Sequence, residues 1–228
     1  MPGTNPKIFK HVHPYPPFLF KEATKLIVGT LPPPRFTTGD LKPGDVDFCY
    51  GSKDGQLWRI LDRIFELGLV FETSEKAVDQ RKEFLLHRKI GICDIIDKAD
   101  RVKVDASDIG MQNIVLRDLL MYLEEYKKVD TLLFTGGSSK NGPEYLFRKL
   151  LKDKGLSLKP VDSRIPRIHK FEIPEETRSR VIRTVSLMAP SGSANRAVGS
   201  IEEYKRAKER DPSYTTIDFR VAQYRSFF

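Results

Sequence analysis

The chain of 228 residues is poor in the side chains that most often build metal centres: it has two cysteines and four histidines. Cys49 and Cys93 are too few for a disulfide framework, a four-cysteine zinc site or a cysteine-ligated cluster. A reducing, cytoplasmic compartment is the expectation. His11, His13, His87 and His169 show neither metal-ligand spacing nor a nucleophile partner, so neither a metal site nor a Ser-His-Asp triad is expected. No run approaches the roughly 18 apolar residues that span a bilayer, so no membrane partner is expected. The first residues, Met-Pro-Gly-Thr-Asn-Pro, carry no basic stretch leading into an apolar one, which argues against a secretory signal. Neither Gly29-Thr30-Leu31-Pro32-Pro33 nor Gly136-Gly137-Ser138-Ser139-Lys140 has the spacing of a phosphate or dinucleotide loop, so no cofactor is expected. There is no internal repeat and no low-complexity tract.

What is present fits a soluble globular protein better than a disordered tail. Apolar residues make up 39% of the chain and charged residues 31%, with both signs interspersed. The net charge is +8, and the sequence pI is near 9.4. Such an excess favours an anionic partner, of which nucleic acid is the commonest. The excess is densest in residues 159–228, at Arg164, Arg167, His169, Lys170 and again at Arg178, Arg180, Arg183. Each stretch reads either as a solvated face or as a set of phosphate contacts.

Residues 1–22, rich in proline and aromatics, read as an irregular arm packed on the body. Lys25–Gly29 is a short apolar strand ended by Gly29 and Pro32 to Pro34. Residues 35–56 read as a long loop, which is usually functional or mobile. Helical spacing begins at Leu57, a second helix at Ser74, a strand or extended segment over 90–96 whose length also allows helix, and one or two helices over 109–126. Val129–Thr135 is a buried-type strand, followed by a helix over 143–152 with Gly155 as its cap. Val181–Met188 is another strand, followed by a basic helix over 201–210 and an aromatic, basic terminal segment over 219–228 that docks back. Strands alternating with helices predict a parallel sheet covered on both faces, with the site beyond the carboxyl ends of the strands. Three loops leave those ends, over 29–56, 135–142 and 188–200.

Each loop carries side chains with two readings. Phe48 and Tyr50 either pin their loop to the core or stack on a flat heterocycle. Trp58 belongs to the apolar face of its helix. Asp54 serves as a helix cap or as a catalyst. Pro190-Ser191-Gly192-Ser193-Ala194-Asn195-Arg196 is either a solvent loop capping the next helix or a place where a phosphate approaches closely, with Arg196 as its counter-charge.

Taken in order, these segments resemble the uracil-DNA glycosylase superfamily, and most of all its mismatch-specific and hypoxanthine-DNA glycosylase-like branches. His13-Pro14-Tyr15-Pro16-Pro17-Phe18 and Lys25–Pro32 resemble the arm, first strand and first loop. Tyr50–Trp58 is similar to the segment ending in Asn-Arg-Phe-Trp. Gly91-Ile92-Cys93-Asp94-Ile95-Ile96 resembles the second-strand Gly-(Leu/Ile)-x-Asp-Val-Val. Leu132–Gly136 is similar to the third strand, and Pro190–Arg196 to the final Pro-Ser-Gly loop. The likeness covers about residues 13–200.

The resemblance implies a three-layer α/β/α sandwich with a central, mostly parallel four-stranded sheet. It implies one domain over 1–228, with the arm at 1–22 and a helical, aromatic extension at 201–228. It implies a monomer that flips a deaminated or mismatched base (uracil, hypoxanthine or mismatched thymine) out of single- or double-stranded DNA and hydrolyses its N-glycosidic bond. The compartment is then cytoplasmic at the nucleoid, or nuclear in a nucleated cell. The low cysteine count excludes the iron–sulfur branches. Gly29, Thr30, Leu31, Pro32, Phe48, Tyr50 and Thr135 become the base-binding candidates. Pro190, Ser191, Gly192, Ser193, Asn195 and Arg196 become the DNA-binding candidates.

The departures are specific. The family's water-positioning Asn, Asp or Glu falls on Leu31, the Asn of Asn-Arg-Phe-Trp on Gly55, the third-strand Asn on Thr135, and the last-loop histidine is absent. Asp47, Asp54 and Asp94 are the substitute catalytic candidates, with Ser52 as a holder of water. Two other readings remain: a catalytically silent DNA-binding homologue, and a nucleoside-processing enzyme.

Overall fold

The computed structural model describes residues 8–175 and 178–228; the first residues of the arm lie outside them. Its elements begin with β1 (Phe9–Val12), β2 (Lys25–Val28), α1 (Pro34–Thr38), α2 (Leu57–Phe65) and α3 (Glu75–Arg88). Strands β3 (Ile90–Ile92), β4 (Ile96–Arg101) and β5 (Met111–Leu116) follow, then α4 (Leu119–Glu125), β6 (Thr131–Phe134) and α5 (Pro143–Asp153). The chain closes with β7 (Lys159–Asp162), β8 (Arg167–Ile173), β9 (Arg180–Ser186), α6 (Asn195–Gly199), α7 (Glu202–Arg210) and α8 (Thr216–Arg225).

The main sheet has the order β3-β2-β6-β9-β8-β7. Its first four strands are mutually parallel. β8 and β7 join antiparallel, so the sheet has six mixed strands rather than the four expected. Short parallel strands of buried residues need cover on both faces, and alternate residues supply it. Leu26, Val28, Leu132 and Phe134 face one core with α4 and α5. Ile27, Leu133 and Val185 face the other with α2, α3 and α8.

Two further expectations are corrected. The arm is not wholly irregular: β1 pairs antiparallel with β4. Residues 111–116 are a strand, β5, paired with β4, and not helix; its hydrogen bonds to β4 outweigh a weak helical spacing. The terminal segment carries the helix α8, in keeping with the helical extension expected; it starts with a capping box between Thr215 and Asp218 and buries Tyr224 against the sheet. Of the two unforeseen antiparallel strands, β7 is held by its pairing with β8, and β8 is tied to β9 and α5 by a polar cluster. Ser186 of β9 stands opposite Arg167 of β8. Buried Glu144 of α5 accepts from Ser186 Oγ at 2.6 Å, Arg167 at 2.8 Å and Arg148 Nε at 2.9 Å. β7 is an edge strand with Lys159 and Pro160 in it, residues that discourage further pairing.

Candidate active site at the carboxyl ends of the parallel strands

The chain leaves β2 at Gly29, β3 at Cys93-Asp94 and β6 at Thr135, all at the same end of the sheet. Hydrogen bonds from Cys93 N to Ile27 O and from Ile95 N to Gly29 O, both 3.0 Å, fix the backbone on either side of Asp94. The Asp94 carboxylate therefore turns to the Gly29 N–H, which donates to its Oδ1 at 2.8 Å. A Cβ on Gly29 would lie 2.1 Å from Tyr50 Oη and 2.7 Å from Asp94 Oδ1. Only glycine lets these groups close over the strand end.

Tyr50 reaches this point from a tight turn. Val46 N donates to Gly51 O and Gly51 N to Phe48 O. Tyr50 itself has φ 58°, a left-handed conformation that is costly for an aromatic residue. The turn aims its phenol at Asp94 Oδ1, 2.9 Å away, and Thr135 Oγ1, 3.0 Å away. Burial, and then the Asp94 charge, push its ionisation far above the ordinary tyrosine range, so it acts as a neutral hydroxyl.

The second Asp94 oxygen meets His13, just beyond β1, at 3.0 Å. His13 Nδ1 accepts from Tyr15 N at 3.1 Å, which leaves the ring proton on Nε2 and makes His13 the donor. Asp94 thus accepts from three donors, a backbone amide, a phenol and an imidazole. The His13 and Asp94 side chains are 1% and 6% exposed.

A second carboxylate stands on the same loop. Thr30 Oγ1 donates to Asp108 Oδ1 at 2.9 Å. Asp108 sits in a short helical turn between β4 and β5, clamped by Asn141 Nδ2 on its carbonyl at 2.9 Å. Beneath it lies Arg101, fully buried, donating to Ser107 O at 2.6 Å and to His11 Nδ1 at 2.8 Å. Burial raises Asp108 to about 6; Thr30 and Arg101 oppose the rise and Asp94 adds to it.

The remaining candidates shape the surroundings. Fully buried Asp45 accepts Arg35 through both oxygens, at 2.7 and 2.8 Å. It also accepts Lys53 N at 2.8 Å and Lys42 N at 2.9 Å. It thereby orders the long loop, whose start is the helix α1. Ser52 Oγ accepts from Arg35 at 2.8 Å and from Asp54 N at 3.2 Å. Asp54 is exposed and pairs with Arg35 at 3.4 Å; it caps no helix, since Gln56 holds that position on α2. Asp47 is exposed and accepts Tyr15 Oη at 2.7 Å. Phe48 is buried among Tyr15, Phe18 and Trp58, and Trp58 Nε1 donates to Cys49 O at 2.9 Å. Leu31 packs against the core on the α4–α5 side, and Pro32 is half-buried beside it.

The loop after β9 joins the same end. Gly55 bridges Ser191, and Gln56 N donates to Pro190 O at 2.8 Å. Its shape is set from below by Arg220 of α8, fully buried. That guanidinium donates to Ala189 O at 2.8 Å, Asn195 Oδ1 at 3.0 Å and Ser191 O at 3.1 Å. Asn195 is therefore committed inward. Gly192, Ser193 and Arg196 are exposed, and Ser191 Oγ lies 2.9 Å from Ser193 Oγ.

Gly29, Tyr50, Asp94 and Thr135 are thus brought together, whereas Asp47, Ser52 and Asp54 are engaged elsewhere. Sequence reasoning missed His13 as a partner, Asp108, and the buried supports Asp45, Arg101 and Arg220. Only Asp108 had an available signal: a carboxylate in a polar turn between apolar stretches. The cavity lined by Lys10, His11, Val12, Lys98 and Asn113, about 410 Å³ in volume, lies on the small β1-β4-β5 sheet and not over this cluster. Among the described residues, no group of three or more His, Cys, Asp or Glu side chains is placed to hold a metal ion. No helix among them is long and apolar enough to cross a membrane. Comparison with protein-family models, curated proteins and solved structures finds no match to this chain.

Proposed function

We propose that this protein is a DNA glycosylase that hydrolyses the N-glycosidic bond of a deaminated or mismatched base flipped out of the duplex. The observation that carries the reading is the convergence of four separate segments on one point. Gly29, Tyr50, Asp94 and Thr135 come from the loops that resemble the uracil-DNA glycosylase superfamily, and they meet within hydrogen-bond distance. The Gly55–Ser191 bridge ties the last loop to the same end. The parallel set β3-β2-β6-β9 supports the finer reading of a uracil-DNA glycosylase-like core, with β8 and β7 as an added edge.

The chemistry follows from the electrostatics. Breaking the C1′–N bond builds positive charge on the sugar and negative charge on the base. A buried carboxylate already ordered by three donors cannot relax away from that charge, so Asp94 stabilises the cationic sugar at little reorganisation cost. The loop backbone at Gly29, Thr30, Leu31 and Pro32 and the Thr135 hydroxyl supply the polar groups that read a base edge. Tyr50, at the rim, supplies the aromatic surface, since Phe48 is spent in the core. The exposed Gly192, Ser193 and Arg196, with half-buried Ser191 beside them, contact the phosphates, aided by the +8 net charge.

The test is single-turnover incubation with duplexes carrying one uracil, one hypoxanthine or one mismatched thymine, followed by alkaline cleavage of abasic sites. Strand cleavage with at least one of them is expected. Salt-sensitive binding without base release would overturn the catalytic reading in favour of a silent DNA-binding homologue. Release from a free nucleoside but not from DNA would favour a nucleoside-processing enzyme.

A further inference from the structure

Asp94 is poorly placed to accept a proton from water. A carboxylate offers about four lone-pair directions, and here three are taken by Gly29 N, Tyr50 Oη and His13 Nε2. Asp108 differs in each respect. Among the described residues its side chain takes one hydrogen bond, from Thr30 Oγ1 to Oδ1 at 2.9 Å, and its Oδ2 has no partner. It is half-buried rather than sealed. It hangs over the first loop one residue beyond Gly29, where the resemblance expects a water-positioning side chain and Leu31 offers none. Its backbone is clamped by Asn141, so the carboxyl is held and not merely passing.

We propose that Asp108 is the general base that activates the hydrolytic water, while Asp94 supplies the fixed negative charge. This assignment rests on the glycosylase reading. The C1′–N bond breaks with its electron pair leaving on the base. The water oxygen bonds to C1′, and Asp108 Oδ2 takes the proton that the water loses. The departing base is protonated from solvent, and Asp108 returns its proton to solvent for the next turnover. Two carboxylates whose surroundings differ this much are the usual sign of divided roles.

The charged and polar groups facing Asp108 are Thr30 from the first loop, Arg101 from β4 with His11 of β1 behind it, and Asp94 beyond β3. Burial sets its ionisation near 6, so a base of this kind works above about pH 6.

Single-turnover base release and duplex affinity are to be measured for the wild type, Asp108→Asn and Thr30→Val. Asparagine keeps the shape and the acceptor for Thr30. Its expected effect is a loss of about 10²- to 10⁴-fold in rate, with affinity for the same duplex within about threefold. Thr30→Val removes a donor to the carboxylate, so the wild-type rise in rate with pH shifts to higher pH. A rate for Asp108→Asn within about threefold of wild type, with the wild type active, overturns this assignment and leaves the glycosylase reading standing. Should Asp108→Asn fail to fold, an unmoved pH profile in Thr30→Val overturns the assignment instead. No base release by the wild type from any duplex removes the reading and this role together.

Discussion

Replacing Asp94 with asparagine keeps the side-chain shape and removes one acceptor. Asp94 Oδ1 holds Gly29 N at 2.8 Å and Tyr50 Oη at 2.9 Å, so the amide oxygen must stay there. The amide nitrogen then faces His13 Nε2, 3.0 Å from the present Oδ2. The imidazole cannot escape by changing tautomer, because Tyr15 N–H occupies its Nδ1 at 3.1 Å. One hydrogen bond to a charged group is lost, and two buried donors, His13 Nε2–H and the new amide N–H, are left facing each other unpaired. Together these cost about 3 kcal/mol, a fall of roughly 6–12 °C in melting temperature for a chain of this size. Thermal unfolding followed by circular dichroism at pH 7 reads this directly. Adding His13→Gln supplies a carbonyl that can accept from the new amide, so the double variant recovers about 1 kcal/mol over the sum of the singles. A loss below about 1 kcal/mol for Asp94→Asn, or strict additivity in the double variant, refutes the buried, donor-saturated role given to this carboxylate.

Tyr50→Phe removes the hydroxyl that joins Asp94 to Thr135; base release falls at least about tenfold and stability by about 1–2 kcal/mol, measured on the same duplexes and by melting. At Asp45, burial alone would raise the carboxyl, but Arg35 and the Lys53 and Lys42 amides hold it at about 2. Stability from this depressed group is complete above about pH 4 and is lost as pH falls through about 2, on the order of 2 kcal/mol, and Asp45→Asn flattens that part of an acid-unfolding curve. His11 is lowered to about 4 by burial, then by Arg101. It folds neutral, so its contribution is present above about pH 6.5 and declines by about 3 kcal/mol as pH drops to 4; His11→Gln should reduce that decline in a pH series of melts. Arg196→Ala weakens binding to all duplexes alike and lowers the slope of log affinity against log salt by about 0.9, read by anisotropy from low to moderate salt.

Much of the frame was legible because its signals are local. Buried parallel strands appear as apolar runs ended by glycine, as at Lys25–Gly29 and Leu132–Gly136, and α3 is announced by Ser74 at its cap. The strands read poorly were those whose partners supply the order. β5 sets Met111, Ile114 and Val115 at a helical spacing and exists as a strand through its pairing with β4, and β7 is an exposed edge. In the site, Gly29, Tyr50, Asp94 and Thr135 could be named because each sits where a strand or a turn ends. Their partners could not. His13 and Asp94 are 81 positions apart, and Asp108 lies 78 positions from Thr30. Only tertiary placement decides which of several aspartates meets a donor, which is why Asp54 looked as eligible as Asp94. Arg220 belongs to a terminal helix with no motif, yet its three contacts fix the loop after β9.

The most direct measurement is single-turnover base release from a duplex carrying one uracil, hypoxanthine or mismatched thymine, with wild type and Asp94→Asn compared at protein excess. Wild-type cleavage at the lesion after alkali, with Asp94→Asn slower by about 10² or more, is the expected outcome. Equal rates for the two proteins, or no abasic product from any duplex with the wild type, would contradict the assignment of base-excision chemistry to the cluster of Gly29, Tyr50, Asp94 and Thr135.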